Sequence, residues 1–326
     1  MKVLVTGGSG FLGSHVAAEL VKLGHDVRAL VRKSSNKKFL ESLDRVELAY
    51  GGVEEESAVA KAAEVVDAIV HSAALVKARD EDEFFRTNVQ GTRNLIEAAK
   101  KQGGAIKRFV HVSSLEAAGP SDDGGPIPAD QEKPMTRYGR SKLASEKVVL
   151  DAKEQLPVVI LRPGGIYGPR DQEIADAFRS VKRGMLPLAG KGDTRYSLIY
   201  GPDAARACIR ALDADLPSGK VFFLSDGKVY SQLEMMEIIE RAWGKRALVR
   251  TGMPLGVIKT VSLFVEGYGK VRNKAVMLTR EKSAMLGHHW VCAKDDIEAA
   301  LGWKPEMSFE EGARVTARWY EENGWM

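Results

Sequence analysis

Lys2-Val3-Leu4-Val5-Thr6-Gly7-Gly8-Ser9-Gly10-Phe11-Leu12-Gly13 opens the chain and decides its fold. A short apolar run ends in a glycine-rich turn, and a helical pattern over Phe11–Leu23 follows at once. Glycines at this spacing let the backbone turn tightly and approach a diphosphate, whose charge meets the free N–H groups at the start of the helix. A glycine pattern alone is weak evidence. Its weight here comes from the strand before it, the amphipathic helix after it and the alternation that continues beyond.

Candidate strands recur at Asp26–Arg32, Val46–Tyr50, Ala68–His71, Arg108–Ser113 and Val158–Arg162. Segments of helical length and spacing lie between them, among them Ser57–Val65 and Glu83–Lys101. Strands joined this way need crossovers, so they pair in parallel with helices on both faces. The expected fold class is α/β, a doubly wound parallel sheet of the Rossmann type that binds a dinucleotide at the carboxyl ends of its strands. Past Arg162 the pattern loosens at Pro163, Gly164, Gly165, Gly168 and Pro169. Val221–Leu224 reads as one more strand that returns to the sheet, and Gln232–Ala242, Asp295–Leu301 and Phe309–Asn323 read as helices. The expected division is a dinucleotide-binding domain over 1–168, with 202–226 returning to its sheet, and a smaller, mainly helical substrate-binding domain over 169–326.

Composition narrows the class further. In 326 residues, 44% hydrophobic and 28% charged side chains exclude disordered and low-complexity classes. A net charge of +4 is too small to suggest nucleic acid. Cys208 and Cys292 are far apart, which suits a reducing compartment. No window reaches the ~18 consecutive apolar residues of a membrane span. Met1-Lys2 leads straight into the first strand, leaving no room for a signal peptide, so a cytoplasmic protein is expected. His288-His289 are adjacent and ill-placed to share one metal ion, so none is expected. His71 and His111 fall in strand patterns and read as packed, hydrogen-bonded side chains.

The end of the second strand bears on the choice of dinucleotide. A carboxylate ~20 residues beyond the glycines would bond the ribose 2′-hydroxyl and select NAD. Leu30-Val31-Arg32-Lys33-Ser34-Ser35-Asn36-Lys37-Lys38 has no acid there. Arg32, with Lys33 or Lys37 nearby, can pair with a 2′-phosphate instead, which favours NADP and leaves NAD as the alternative. Tyr138 and Lys142, four residues apart, share one face of a segment read as helical. A fixed ammonium beside a phenol lowers the phenol's pKa from ~10, the tuning a general acid/base needs. Ser113-Ser114, at the end of the fifth strand, can hold a carbonyl or alcohol oxygen.

Together these residues resemble the extended short-chain dehydrogenase/reductase superfamily, also called the NAD-dependent epimerase/dehydratase family. The resemblance rests on Thr6 to Gly13, His71-Ser72-Ala73-Ala74, Asn88-Val89-Gln90-Gly91-Thr92, Val112-Ser113-Ser114, Tyr138 with Lys142, Arg162 to Pro169, and Leu301-Gly302-Trp303-Lys304-Pro305 before Glu310-Glu311-Gly312. It implies a catalytic set of Ser114, Tyr138, Lys142 and Asn88. Tyr138 would exchange the proton at the substrate oxygen, Lys142 would lower its pKa and bind the nicotinamide ribose, Ser114 would orient the oxygen, and Asn88 would support the site through its helix. Beside Tyr138 and Lys142, the implied cofactor contacts are Gly7, Gly10, Phe11, Leu12, Gly13, Arg32, Lys33, Ala73, Ala74, Pro163 and Ile166.

Departures from the family pattern sharpen the reading. Gly51-Gly52-Val53 stands where an acid often contacts adenine. Leu115-Glu116 follows Ser114 where dehydratases carry Asp-Glu, and Gly165 stands where many nucleotide-sugar enzymes carry Asn. The form Arg-Pro-Gly-Gly-Ile-Tyr-Gly-Pro is more similar to the dihydroflavonol reductase and 3β-hydroxysteroid dehydrogenase branch. The implied activity is an NADP(H)-dependent oxidoreductase acting on a ketone or secondary alcohol, of a small apolar or steroid-like compound. A nucleotide-sugar 4-epimerase with tightly held NAD is the alternative, and a non-catalytic nucleotide sensor is the reading from another class. Arg195 lies near where sugar-nucleotide relatives bind phosphate, and reads more simply as a surface or bridging residue. Met253–Met277, apolar with flanking cations, reads as a core helix, as a cover over a greasy substrate or as a membrane-surface contact. The family's helical dimer interface makes a homodimer the expected state, with a small-molecule substrate as partner.

Overall fold

The structure is a computed structural model that describes residues 1–272, 276 and 279–326, the side chains of 269–271 excepted. Its strands are β1 (Lys2–Thr6), β2 (Asp26–Val31), β3 (Val46–Tyr50), β4 (Ala68–His71), β5 (Arg108–Val112), β6 (Val158–Pro163), β7 (Gly165–Tyr167), β8 (Met185–Ala189), β9 (Arg195–Tyr200), β10 (Lys220–Leu224), β11 (Val229–Ser231) and β12 (Val249–Met253). The helices are α1 (Phe11–Lys22), α2 (Lys38–Glu41), α3 (Glu56–Ala62), α4 (Glu81–Phe84), α5 (Gly91–Lys100), α6 (Leu115–Ala118), α7 (Arg137–Leu150), α8 (Ala175–Lys182), α9 (Gly201–Asp213), α10 (Gln232–Trp243), α11 (Leu255–Val271), α12 (Arg280–Met285), α13 (Ile297–Leu301) and α14 (Phe309–Glu322).

Seven strands pair in parallel in the order β10-β6-β5-β4-β1-β2-β3. Their sequences are continuous apolar runs because both faces are covered. Val3, Val5, Val70, Val110 and Leu161 face α1 and α9, while Leu4, Ile69, Phe109 and Ile160 face α3, α5 and α7. Each such side chain, fully buried, is worth roughly 1.5–3 kcal/mol. Strand order reverses between β1 and β4, which leaves a crevice above their carboxyl ends at Gly7 and Ser72. β10 closes the far edge beside β6, with Phe222 opposite Leu161.

The rest of the chain holds more strand than its pattern suggested. β7, β9 and β11 make one small sheet and β8 and β12 another. With α8, α10 and α14 they enclose Tyr167, Phe178, Phe309 and Tyr320. Asp203, buried on α9, ties the closing segment down by accepting the backbone N–H groups of Glu306 and Met307 at 3.2 and 3.0 Å. The helix expected over Glu83–Lys101 is present as one uninterrupted helical run, α4, a π-helical turn at Phe85–Gln90 and α5. In the segment expected over Met253–Met277, α11 buries Ile258 and Ser262 but exposes Val257, Val261, Phe264 and Tyr268, so it is not a core helix. Lys274 and Met277 lie outside the described residues. No helix among the described residues is long and apolar enough to cross a membrane.

Candidate active site

One cleft of about 840 Å3 runs along the crevice, and nearly every residue singled out from the sequence lines it. Gly7, Gly10, Phe11, Leu12 and Gly13 form its floor. Gly7 has φ +70°, and a Cβ there would lie 2.8 Å from the Ala73 nitrogen. A Cβ on Gly13 would come within 2.2 Å of the Gly7 carbonyl oxygen. The loop is therefore closed as tightly as glycine allows. The N-cap of α1 is Gly10, which offers no side-chain oxygen, and the first turn carries no acid. The leading N–H groups of α1 thus face the cleft without a capping side chain, a cradle that fits a diphosphate. Ala73 packs against this loop, and Ala73, Ala74, Pro163 and Ile166 line the cleft too.

Ser114, Tyr138 and Lys142 meet at the carboxyl end of β5. Ser114 N-caps α6, accepting the Glu116 N–H at 3.1 Å. Thr136 N-caps α7, its hydroxyl oxygen accepting the Gly139 N–H at 2.8 Å, and so fixes the turn that presents Tyr138. Burial raises the phenol's pKa above its usual 10, Glu116 and Glu173 raise it further, and a hydrogen bond from Ser114 pulls it partly back. The Lys142 ammonium, lowered to about 8 by burial, donates to the Val112 carbonyl at 2.7 Å. The expected depression of the Tyr138 pKa by Lys142 is thus not the balance found here, where burial and two carboxylates dominate.

Asn88 is buried beneath the cleft and does not line it. It sits in the π-helical turn, where its side chain accepts the Leu75 N–H at 2.8 Å and donates to the Leu75 carbonyl at 3.1 Å and to the Ser141 hydroxyl at 2.9 Å. Ser141 in turn donates to the Tyr138 carbonyl at 2.7 Å. Asn88 therefore positions the cleft wall against α7 and touches no reacting atom.

The basic stretch after β2 divides. Arg32 lines the cleft, whereas Lys33 is exposed outside its lining. Lys37 folds back to the carbonyls of Lys33 and Ser35 at 3.0 and 2.9 Å. Gly51, Gly52 and Val53 line the cleft as well. Arg195 lies away from the cleft, its guanidinium near the Gly124 carbonyl. His289 accepts the Arg195 N–H at 3.0 Å through Nδ1.

Several charged residues at or beneath the cleft were not foreseen as site residues. Glu116 lines the cleft, its pKa raised by burial, and accepts the Thr136 hydroxyl at 2.7 Å. Glu173 and Arg170 follow β7 and line it too. Beneath the site Glu146, two turns along α7 from Tyr138, forms a buried two-bond pair with Arg162 at 2.6 and 3.0 Å. The i, i+4, i+8 spacing of Tyr138, Lys142 and Glu146 was the available signal for the last.

The profile of the NAD dependent epimerase/dehydratase family matches residues 3–224. The chain is 29% identical over 336 positions to the 2-alkyl-3-oxoalkanoate reductase of Stenotrophomonas maltophilia (strain K279a), covering 96% of this chain and 98% of that one. It is 30% identical over 270 positions to the 3 beta-hydroxysteroid dehydrogenase/Delta 5→4-isomerase of Mycobacterium tuberculosis, covering 75% and 70%. Among solved structures it superposes on the dTDP-glucose 4,6-dehydratase DesIV of Streptomyces venezuelae, determined with NAD and TYD bound, at a TM-score of 0.81 and 27% identity over 100% of this chain and 98% of that one. The glycine cradle, the Ser114, Tyr138 and Lys142 cluster and these matches agree, and the chain belongs to the NAD-dependent epimerase/dehydratase family, as an enzyme of the extended short-chain dehydrogenase/reductase type that works with a nicotinamide cofactor.

Proposed function

We propose that the protein is an NADP(H)-dependent reductase/dehydrogenase acting on the ketone or secondary alcohol of a small apolar or steroid-like compound. Residues 1–168 and 202–226 hold the dinucleotide in this reading, and the remainder of 169–326 shapes the substrate side. The observation that carries it is the half-buried Tyr138 phenol, steadied by Ser114, in the cleft that begins at the glycine loop. An un-ionised phenol suits donation of a proton to a carbonyl oxygen, which Ser114 holds in place. The nicotinamide supplies the exchangeable hydride. Lys142 holds positive charge behind Tyr138, and Asn88 keeps both on a fixed wall.

The lining on the Tyr138 side combines apolar side chains, Leu75, Val76, Phe84, Ile166, Val276 and Met285, with charged ones, among them Glu116, Glu173, Glu281 and Lys282. The apolar share of that lining supports a greasy substrate, and the two relatives named for an oxoalkanoate and a hydroxysteroid fit it. A Cβ at Gly165 would lie 2.9 Å from Leu198 Cδ2, so the Asn of nucleotide-sugar enzymes would require the Leu198 side chain to shift. Arg32, at the cleft with no acid beside it in β2, supports NADP over NAD. A cytoplasmic homodimer completes the proposal, and light scattering on the purified protein tests its stoichiometry.

The deciding experiment is a titration of NADP+ and NAD+ into wild type and Arg32→Ala. Tighter binding of NADP+ that collapses in the variant is expected, with a loss of about ten- to a hundredfold for a charged hydrogen-bond partner. Protein that arrives with NAD+ bound, or that prefers NAD+, would overturn the NADP assignment and favour the nucleotide-sugar 4-epimerase.

A further inference from the structure

Arg170 is an uncompensated cation beside the glycine cradle. It leaves β7 after Pro169 with φ +73°, a conformation uncommon outside glycine and kept where surroundings fix it. Its side chain crosses α1 and lies over the Phe39 ring at 4.0 Å. Nε donates to the Ser14 hydroxyl at 3.0 Å, and Nη2 donates to His15 Nδ1 at 2.7 Å. Nη1 has no hydrogen-bond partner among the described residues, and the residue lines the cleft.

All three neighbours are neutral. His15 donates through Nε2 to the Pro169 carbonyl at 2.9 Å, so Nδ1 offers a lone pair, and burial with Arg170 nearby holds its pKa down at about 3. Ser14 donates to the Phe11 carbonyl at 2.8 Å and keeps its own lone pairs for Arg170. The adjacent carboxylate, Asp171, is used elsewhere, accepting the backbone N–H groups of Glu173 and Ile174, both at 2.8 Å. Arg170 forms no ion pair among the described residues. Burial lowers its pKa to about 10. The positive end of the α1 dipole and a half-buried guanidinium therefore converge on one stretch of cleft with no acid between them. Such a pair is unfavourable alone and favourable around an anion.

We propose that Arg170 is a phosphate ligand of this cleft, its guanidinium taking phosphoryl oxygens of a dinucleotide laid on α1 between Gly10 and Phe39. The proposal rests on the nicotinamide-dinucleotide reading above and deepens it. Two phosphoryl groups lie in reach of that assignment, the diphosphate shared by both dinucleotides and the 2′-phosphate of NADP alone. Ser14, in the first turn of α1, points to the diphosphate, and Phe39, just past the basic stretch, points to the 2′-phosphate.

Equilibrium titration of NADP+, NAD+ and ADP-ribose into wild type, Arg170→Met and Arg170→Lys separates the outcomes. Met keeps the stem over Phe39 and removes the charge, and a loss of about ten- to a hundredfold is expected. Equal losses for all three probes assign Arg170 to the diphosphate, and a loss confined to NADP+ assigns it to the 2′-phosphate. Lys keeps a cation in the same seat without the fork, so an intermediate affinity is expected. Should Arg170→Met fail to fold, as read by circular dichroism, the Lys variant alone decides. Unchanged affinity in a folded Met variant, or in Lys when Met does not fold, overturns the proposal. Wild type that binds none of the probes sinks the dinucleotide reading itself, and this inference with it.

Discussion

Tyr138 is held un-ionised by its own surroundings, and the sequence could not have shown this. Spacing placed it beside Lys142, but burial raises its pKa most, and Glu116, twenty-two positions earlier, and Glu173, in the loop after β7, raise it further. Both look in sequence like acids on a solvated face. Removing the phenol tests its role directly. Tyr138→Phe should lower kcat by about a hundredfold to ten-thousandfold with a far smaller change in the dinucleotide Kd, since the proton donor is lost while the glycine cradle stays intact. A parallel rise in Kd would make Tyr138 a binding group. Glu116→Gln tests the electrostatics. A neutral side chain there removes the largest charge opposing the phenolate, so the Tyr138 pKa should fall. The rate of alcohol oxidation, which needs the phenolate, should then rise at a lower pH than in wild type, read from a kcat/KM profile. A profile that does not move would place the control of Tyr138 elsewhere.

At the level of elements, legibility followed burial on both faces. β1, β4, β5 and β6 were readable because covered strands are continuous apolar runs. The π-helical turn was not: it holds Asn88, whose side chain bonds Leu75 thirteen residues away, and periodicity sees no such contact. The short strands β7 and β11, three residues each, lie below what a pattern can register. Lys33 was misplaced for a related reason: within an irregular loop, side chains do not alternate with a period that says which one faces the cleft. Helix α7 shows both sides of the matter. Its face of Tyr138 and Lys142 was evident, and its continuation to Glu146 was visible in spacing but lacked a partner until the fold brought Arg162 beside it. Arg162 and Glu146 are both almost fully buried, and Ser113 also donates to Glu146. Glu146→Ala should cost about 3–5 kcal/mol in urea unfolding, because the lone guanidinium stays buried. Replacing both residues by Met should recover most of that loss. If the double variant is no more stable than the single, the pair is not the seat of the effect.

Across the whole molecule, the cleft rests on a row of buried basic groups that the fold keeps mostly uncharged. His71 and His111 stand on adjacent central strands with ring centroids 5.2 Å apart, below Lys142. Thr92 gives its hydroxyl proton to the Asn88 carbonyl at 2.6 Å, so His71 Nε2 must donate to the Thr92 oxygen at 2.9 Å and Nδ1 must accept from Thr6 at 2.7 Å. A second ring proton has no acceptor in that arrangement. Burial and the Lys142 charge accordingly lower His71 from 6.5 to about 3, and His111 is lowered by the same causes and by His71. Burial likewise lowers His15 to about 3. The unfolded chain therefore binds protons that the folded one refuses between pH 6.5 and 3. Stability from these imidazoles is complete above pH 6.5 and is lost as the pH falls, at up to about 1.4 kcal/mol per pH unit for each. Asp171, pushed up to about 6 by burial, works in the opposite sense and gains stability as the pH falls through 6. Burial raises Glu116, Asp226 and Asp295 as well, while hydrogen bonds hold Glu47, Glu83, Glu234 and Glu310 low. Three imidazoles and those lowered carboxylates against the raised ones make acid lability the expected net result. Urea unfolding at pH 7 and pH 4.5 checks it. His71→Gln should be less stable than wild type at pH 7, having lost its tuned bonds to Thr6 and Thr92, yet should lose less on going to pH 4.5. Identical losses in the two proteins would show that the buried imidazole beneath the cleft does not set the acid limit of the fold.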